Sequence, residues 1–285
     1  MTAEAVSMAI RRAAGSLPGD SARADAELLL AMALGRPRSW LYAHGDAPID
    51  SIHAKSFESL LARRQRGEPV AHILGVREFW SMELAVTADT LIPRPETELL
   101  AEKAWEFLRK SSAPAPVVLD FGTGSGCLAI TLAVKCPAAR IHAIDLSSEA
   151  LAVAGQNAFR HQVSERIQFH GSDGFAALPS DLRFNLLVSN PPYIPTAEIE
   201  SLQPEVKDHD PRLALDGGAD GLDFYRRLAV EAPLFMASGG SFMTEFGDGQ
   251  AEPISIIFHQ AGWQVASIET DYSGRPRILI ALRSN

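Results

Sequence analysis

From Val117 onward the chain alternates short apolar runs with amphipathic ones, and this alternation restricts the fold more than any other feature. Strands are predicted at Val117–Phe121, Arg140–Asp145, Ile167–Gly171, Phe184–Ser189, Gly240–Phe246, Trp263–Thr270 and Arg277–Leu282. Helices are predicted between them at Ser125–Lys135, Ser148–His161, Leu222–Met236 and Gly249–Gln260. Strand and helix in turn mean an α/β protein with a seven-stranded, doubly wound sheet. The last two strands are joined only by Asp271-Tyr272-Ser273-Gly274, too short for a helical crossover, so they are expected to be antiparallel neighbours.

The front of the chain reads differently. Ala22–Leu34 places Ala26, Leu29, Leu30 and Ala33 on one stripe before Gly35, and Ser51–Arg66 repeats the pattern with Phe57, Leu60 and Leu61 before Gly67. Residues 1–75 are therefore expected to form a small helical bundle, either an appendage or a partner-binding module. Residues 76–116 follow as hairpin and linker helix. Phe79–Val86 alternates like a strand or hairpin, Leu91–Glu98 leads into a helix reaching about Lys110, and Ser111–Pro116 is a linker. Residues 117–285 are the sheet domain.

One predicted strand, Phe184–Ser189, runs into Asn190-Pro191-Pro192-Tyr193. Two prolines forbid continuation of the ladder, so the strand stops and presents Asn190 at its carboxyl end, the edge where open α/β sheets bind ligands. A second motif, Asp120-Phe121-Gly122-Thr123-Gly124-Ser125-Gly126, lies between the first strand and its helix. Glycines there let backbone approach a ligand closely. Asp145 ends the second strand nineteen residues after Gly126, the place from which a carboxylate grips ribose hydroxyls. A dinucleotide fingerprint would need a third glycine where Cys127 stands. The G-x-G-x-G spacing, with Asp120 two residues ahead, instead matches S-adenosylmethionine enzymes, and a carboxylate suits that cofactor's cationic amino acid part. Gly122, Thr123, Gly124, Ser125, Gly126 and Asp145 are the expected cofactor ligands, with Asp173 and Gly174 at the adenine side and Ser172 and Phe175 beside them.

Asn190 completes the pattern. An amide or exocyclic amino nitrogen is a poor nucleophile because its lone pair is delocalised. Two acceptors aimed at its N–H bonds, the Asn190 side-chain oxygen and the Pro191 carbonyl, would concentrate density on nitrogen and direct it at a methyl group. Pro192 would hold that geometry, and Tyr193 would give the target a flat face.

Charge and cysteine content narrow the partners. The net charge is −9, with ten basic and ten acidic residues through Ala85, so the excess of acid lies in the rest of the chain. Neither part offers the basic face that an enzyme gripping duplex DNA needs, so no direct nucleic-acid binding is expected. Cys127 and Cys136 have no partners at metal-ligand spacing, and the eight histidines are scattered, so no metal is expected. The start of the chain lacks a signal-peptide pattern and no run is long enough to span a bilayer. A cytoplasmic protein without membrane contact is expected.

Taken together, these residues resemble a known family. Asn-Pro-Pro-Tyr with the glycine motif is similar to amino and amide N-methyltransferases at large. Phe79-Trp80, Leu91-Ile92-Pro93-Arg94-Pro95-Glu96-Thr97-Glu98 and the stretch Glu205–Gly218 resemble one branch, the peptide chain release factor glutamine methyltransferases. The resemblance covers nearly the whole chain, and Ile-Pro-Arg-Pro is its most specific part. It implies the class I S-adenosylmethionine-dependent methyltransferase fold with an N-terminal helical domain that touches the release factor. It also implies methylation of the side-chain amide (N5) of the glutamine in a Gly-Gly-Gln loop. Asn190, Pro191 and Tyr193 would be catalytic, Asn190 would also border the cofactor, and Arg94, Glu98 and Pro192 would join them in holding the substrate. Some members carry an aromatic residue against the adenine where this chain has Gly174, so Phe175 or Phe121 is expected to replace it. Two neighbouring readings share parts of the pattern: a glutamine methyltransferase of a ribosomal protein, and an adenine-N6 DNA methyltransferase, which would need a basic target-recognition part.

Overall fold

The computed structural model describes residues 3–283. The chain divides into two compact units. One is the chain up to Val76 together with Gln203–His209; the other comprises Arg77–Leu202 and Asp210 onward.

The first unit holds the helices α1 (Val6–Ala14), α2 (Ala22–Leu34), α3 (Arg38–Ala43), α4 (Ser51–Gln65) and α5 (Val70–Leu74). Two of these, α2 and α4, match the sequence reading; α1, α3 and α5 are additional. The α2 helix ends at Gly35 in the left-handed conformation (φ 59°), and α4 begins at Asp50, whose carboxylate accepts from the Ile52 and His53 N–H groups at 2.9 and 3.0 Å. Ala9, Ala13, Leu29, Leu30, Phe57 and Leu61 close its core. Gln203–His209 returns to this unit far along the chain. Buried Arg64 receives it, pairing with Glu205 of that segment and with Asp25 at 2.8 Å. A guanidinium this buried needs a carboxylate beside it, because unpaired it would be an uncompensated buried charge.

The second unit begins with a hairpin of β1 (Val76–Phe79) and β2 (Met82–Ala85). Its turn residues Trp80 and Ser81 both have positive φ (47° and 59°), the sense that matches the twist of paired strands. Helix α6 (Pro95–Lys110) follows, with Pro95 at its first position and Glu96 and Glu98 in its first turn.

The seven-stranded sheet consists of β3 (Val117–Phe121), β4 (Arg140–Asp145), β5 (Ile167–Gly171), β6 (Phe184–Ser189), β7 (Met236–Glu245), β8 (Trp263–Thr270) and β9 (Pro276–Arg283). Its order is β5-β4-β3-β6-β7-β9-β8, with β9 antiparallel to β7 and β8. Helices α7 (Cys127–Lys135), α8 (Ser148–Arg160), α10 (Asp223–Glu231) and α11 (Ala251–Gln260) occupy the predicted gaps, and the short α9 (Pro204–Lys207) lies in the returning segment. Alternation along the strands sends Val118 and Leu186 to one core with α6, α7 and α8, and Leu119 and Leu187 to another with Tyr225 of α10 and Phe258 of α11. Burying each such aromatic side chain stabilises the fold by about 1.5–3 kcal/mol.

Element ends shift where special backbone intervenes. Helix α10 stops at Glu231, short of the predicted Met236, because Pro233 converts the next turn to a 3₁₀ turn at Ala232–Phe235. Strand β7 begins at Met236 rather than Gly240, pairing Met236 with Phe184 ahead of a register shift. Helix α7 starts at Cys127 rather than Ser125, since Gly126 is its cap with φ 83°.

Candidate active site

Parallel register brings the carboxyl ends of four strands to one edge. Phe121 pairs with Ile144 and with Ser189, and Asp145 pairs with Gly171. The strand order reverses at β3, so the crevice opens there. A cavity of about 330 Å³ fills it, within the size range of small-molecule sites. Its lining includes Asp120, Gly122–Ser125, Asp145, Asp173 and Gly174 from the cofactor prediction, and Arg94, Asn190, Pro191 and Pro192 from the chemical one; Gly126, the cap of α7, does not line it. Glu98 and Tyr193 stand back from it. Glu98 Oε1 accepts from the Trp80 N–H at 2.8 Å, and the Tyr193 ring packs on the α10–α11 core.

The glycine loop is pinned by its own carboxylates. Asp120 Oδ2 accepts from the Thr123 hydroxyl at 2.7 Å and the Ala129 N–H at 3.0 Å. Its Oδ1 is buried without a hydrogen-bonding partner among the described residues. Burial pushes this carboxyl up to about 7 against those two hydrogen bonds. Asp145 Oδ2 accepts from the Gly124 N–H at 2.8 Å and its Oδ1 from the Ser147 N–H at 3.0 Å, which fixes the carboxylate at the cavity wall.

At the far wall of this half, Arg227 of α10 supplies what the sequence reading missed. It donates to the Asp173 carboxylate at 2.5 Å and carbonyl at 2.9 Å, and to Glu231 at 3.0 Å. Gly174 has φ 75°, and a Cβ there would stand 2.2 Å from Arg227 Nη2, so the guanidinium occupies the space a side chain at 174 would take. Phe175 is buried against Phe235 with ring centroids 4.9 Å apart and does not line the cavity; Phe121 does. Of the two aromatic residues expected against the adenine, the structure brings Phe121 to the cavity.

The Asn-Pro-Pro-Tyr loop is held by residues remote in sequence. Asn190 Nδ2 donates to Thr97 Oγ1 at 3.1 Å, and Thr97 donates to Glu245 Oε2 at 2.7 Å. The Tyr193 carbonyl accepts from Gln250 Nε2 at 2.9 Å. Gly221 lies so close that a Cβ would meet the Tyr193 carbonyl oxygen at 2.3 Å. Ile194 bridges to Asp216 in parallel fashion, and its N–H reaches the Leu215 carbonyl at 3.0 Å. Arg94 pairs with the buried Asp210 at 2.5 Å, joining the Ile-Pro-Arg-Pro segment to Asp210-Pro211 at the cavity rim. Nothing in the sequence assigned Glu245 a role; the one signal it carries is that it is the single charged residue of β7. Burial pushes its carboxyl up to about 7 despite the Thr97 and Asn190 hydrogen bonds and Arg277.

Comparison with known proteins agrees with this architecture. Residues 8–75 match the PrmC N-terminal domain and residues 97–205 the methyltransferase small domain. A methyltransferase from Pyrococcus furiosus superposes with a TM-score of 0.51 at 16% identity, covering 73% of this chain and 91% of its own, a likeness of fold. The release factor glutamine methyltransferase of Geobacter sulfurreducens is 43% identical over 91% of this chain and 89% of its own. That of Cereibacter sphaeroides is 42% identical over 98% and 97%. With identity at that level over more than nine-tenths of its length, the chain belongs to the release factor glutamine methyltransferase family.

Proposed function

We propose that this enzyme transfers a methyl group from S-adenosylmethionine to the side-chain amide nitrogen (N5) of the glutamine in the Gly-Gly-Gln motif of peptide chain release factors. The observation that carries the reading is the position of Asn190. Its amide nitrogen is committed to Thr97, so its oxygen is the group it can offer, in the same cavity as the glycine loop and Asp145.

The residues fit the cofactor. Asp120 Oδ1, without a partner among the described residues, is a buried acceptor suited to an ammonium group, Asp145 retains acceptor capacity for ribose hydroxyls, and Asp173, Gly174 and Phe121 border the adenine end. When bound, the cofactor supplies an activated methyl group on a sulfonium. The chain's own work is orientation: Asn190 Oδ1 and the Pro191 carbonyl accept from the two N–H bonds of the substrate amide and turn its nitrogen toward the methyl. No general base is needed before transfer, because the proton leaves once nitrogen has become tetrahedral. Arg94 and Pro192 hold the substrate around that point, while Glu98, bonded to the Trp80 N–H, and Tyr193 support the site from behind.

The helical unit is the surface that recognises the release factor, since a single glutamine in a glycine-rich loop offers little binding area. The site of action is the cytoplasm. Among the described residues no helix is long and apolar enough to cross a membrane. Incubating the protein with S-adenosylmethionine and intact release factor, followed by tandem mass spectrometry, should place one methyl on the Gly-Gly-Gln glutamine, with the isolated loop peptide a much poorer substrate. Methyl groups on a ribosomal protein or on adenine in DNA, with release factor untouched, would overturn the substrate assignment.

A further inference from the structure

A carboxamide can align a substrate amide only if it presents oxygen rather than nitrogen, and nothing intrinsic to asparagine chooses between the two. Here two buried side chains make the choice. Thr97 is the third residue of α6 and Glu245 the last of β7, and both are 2% exposed. A hydroxyl has one proton to give. An ionised carboxylate only accepts, so the Thr97 proton goes to Glu245 Oε2, 2.7 Å away, and the Thr97 oxygen must accept. The group it accepts from is Asn190 Nδ2 at 3.1 Å. The reversed carboxamide would set Oδ1 against a hydroxyl whose proton is already committed, and would aim an N–H₂ at the substrate's own N–H bonds. Both contacts would be repulsive. Threonine is well suited to the middle position, because its branched Cβ restricts χ1 and holds the hydroxyl in one direction.

We propose that Glu245 and Thr97 are positioning residues that set the polarity of the Asn190 carboxamide, so that Oδ1 faces the substrate nitrogen. The proposal rests on the role assigned to Asn190 above and extends it to two residues that do not touch the reacting atoms. It also explains why a carboxylate stands at the buried end of β7: the fold retains a costly group because an apolar residue there would release the hydroxyl to donate toward Oδ1.

The test uses Thr97→Val, which keeps the shape and removes the hydroxyl, assayed with intact release factor above neutral pH, where Glu245 is ionised. The carboxamide then keeps only its contact with Glu245 and loses the one that fixes its polarity through Thr97, and kcat should fall about tenfold, corresponding to about 1.4 kcal/mol. The calorimetric Kd for S-adenosylmethionine should stay within about twofold, because that is a smaller effect than one hydrogen bond. Thr97→Ser should restore most of the loss. Glu245→Gln, which can present either end of its own amide to Thr97, should fall between wild type and Thr97→Val. Wild-type kcat in Thr97→Val would overturn the proposal. So would failure of Thr97→Ser to recover, or a parallel loss of cofactor affinity, which would indicate general distortion. Methylation of the glutamine by the wild-type protein in the same assay keeps the two levels apart: its absence would remove the proposed function, whereas an unaffected Thr97→Val would remove the relay alone.

Discussion

The two halves of the cavity are built in opposite ways. The half formed by Asp120–Gly126 and Asp145 is held mostly by its own loop: Thr123 and Ala129 bond Asp120 Oδ2 within nine residues, and Asp145 is bound by Ser147 and by Gly124 of the glycine loop, with Arg227 at Asp173 and Gly174 the remote exception. The Asn190–Tyr193 half is held from afar, by Thr97 of α6, Glu245 of β7, Gly221 and Gln250. A binding site tolerates a locally folded loop, since the ligand itself completes its contacts. On the proposed function the second half must aim a neutral nitrogen and cannot wait for its substrate, which accounts for its being held by the whole fold. The halves should therefore fail differently when altered.

The largest effect is expected in the chemical half. Asn190→Ala removes one preorganised acceptor and should lower turnover by about 10² or more. Steady-state assays at saturating cofactor would show it, and a variant keeping most of its turnover would place the chemistry elsewhere.

The next concerns the cost of holding that half. Glu245 has its carboxyl pushed by burial from the ordinary 4.5 up to about 7. The raised value means that the folded state holds the proton more tightly than the unfolded one. The associated stability is complete below about 4.5 and is lost as pH rises to about 7, a change of roughly 3 kcal/mol. Glu245→Gln does not titrate, so its stability relative to wild type should improve by about that amount across the same window. Urea unfolding at both ends would check this, and a pH-independent difference would mean that burial does not raise the Glu245 carboxyl above its value in the unfolded chain.

In the cofactor half the expected losses are smaller. Asp145→Ala should weaken S-adenosylmethionine binding by roughly tenfold or more, since hydrogen bonds to a charged group are worth about 1.5–3 kcal/mol. Smallest is Gly174→Ala. The new Cβ would displace Arg227 from Asp173 and accept an unfavourable φ of 75°, at a cost of about 1–2 kcal/mol in stability. Arg227 is flexible at its end, so affinity should change only a few-fold. A drop much larger than that for Asp145→Ala would show the adenine end to be as rigidly preset as the chemical end, erasing the contrast.

The same contrast explains what could be read from the sequence. The sheet, its antiparallel closing pair and the glycine loop follow from local patterns: alternation, glycine spacing, prolines after a strand. Asp120, Asp145 and Asn190 were legible because each stands at the end of a recognisable strand. Thr97, Glu245, Gln250 and Arg227 were not, because their partners lie on other elements and no spacing rule connects them. The return of Gln203–His209 to the helical unit was hidden for the same reason: Arg64 and Glu205 are joined only in space. Helix α1 was missed because its apolar stripe, Val6, Ala9, Ile10 and Ala13, spans only two turns and half of it is alanine.

Asn190→Ala and Asp145→Ala, compared side by side by calorimetry with S-adenosylmethionine and by single-turnover methylation of release factor at saturating cofactor, test the division of labour most directly. The account predicts a crossed result. Asn190→Ala should bind cofactor nearly as wild type while its single-turnover rate falls by about 10²; Asp145→Ala should bind about tenfold more weakly yet approach the wild-type rate once saturated. Equal losses in affinity and rate for both variants would contradict it, and would mean that the cavity works as a single cofactor site with no separate device for aiming the amide.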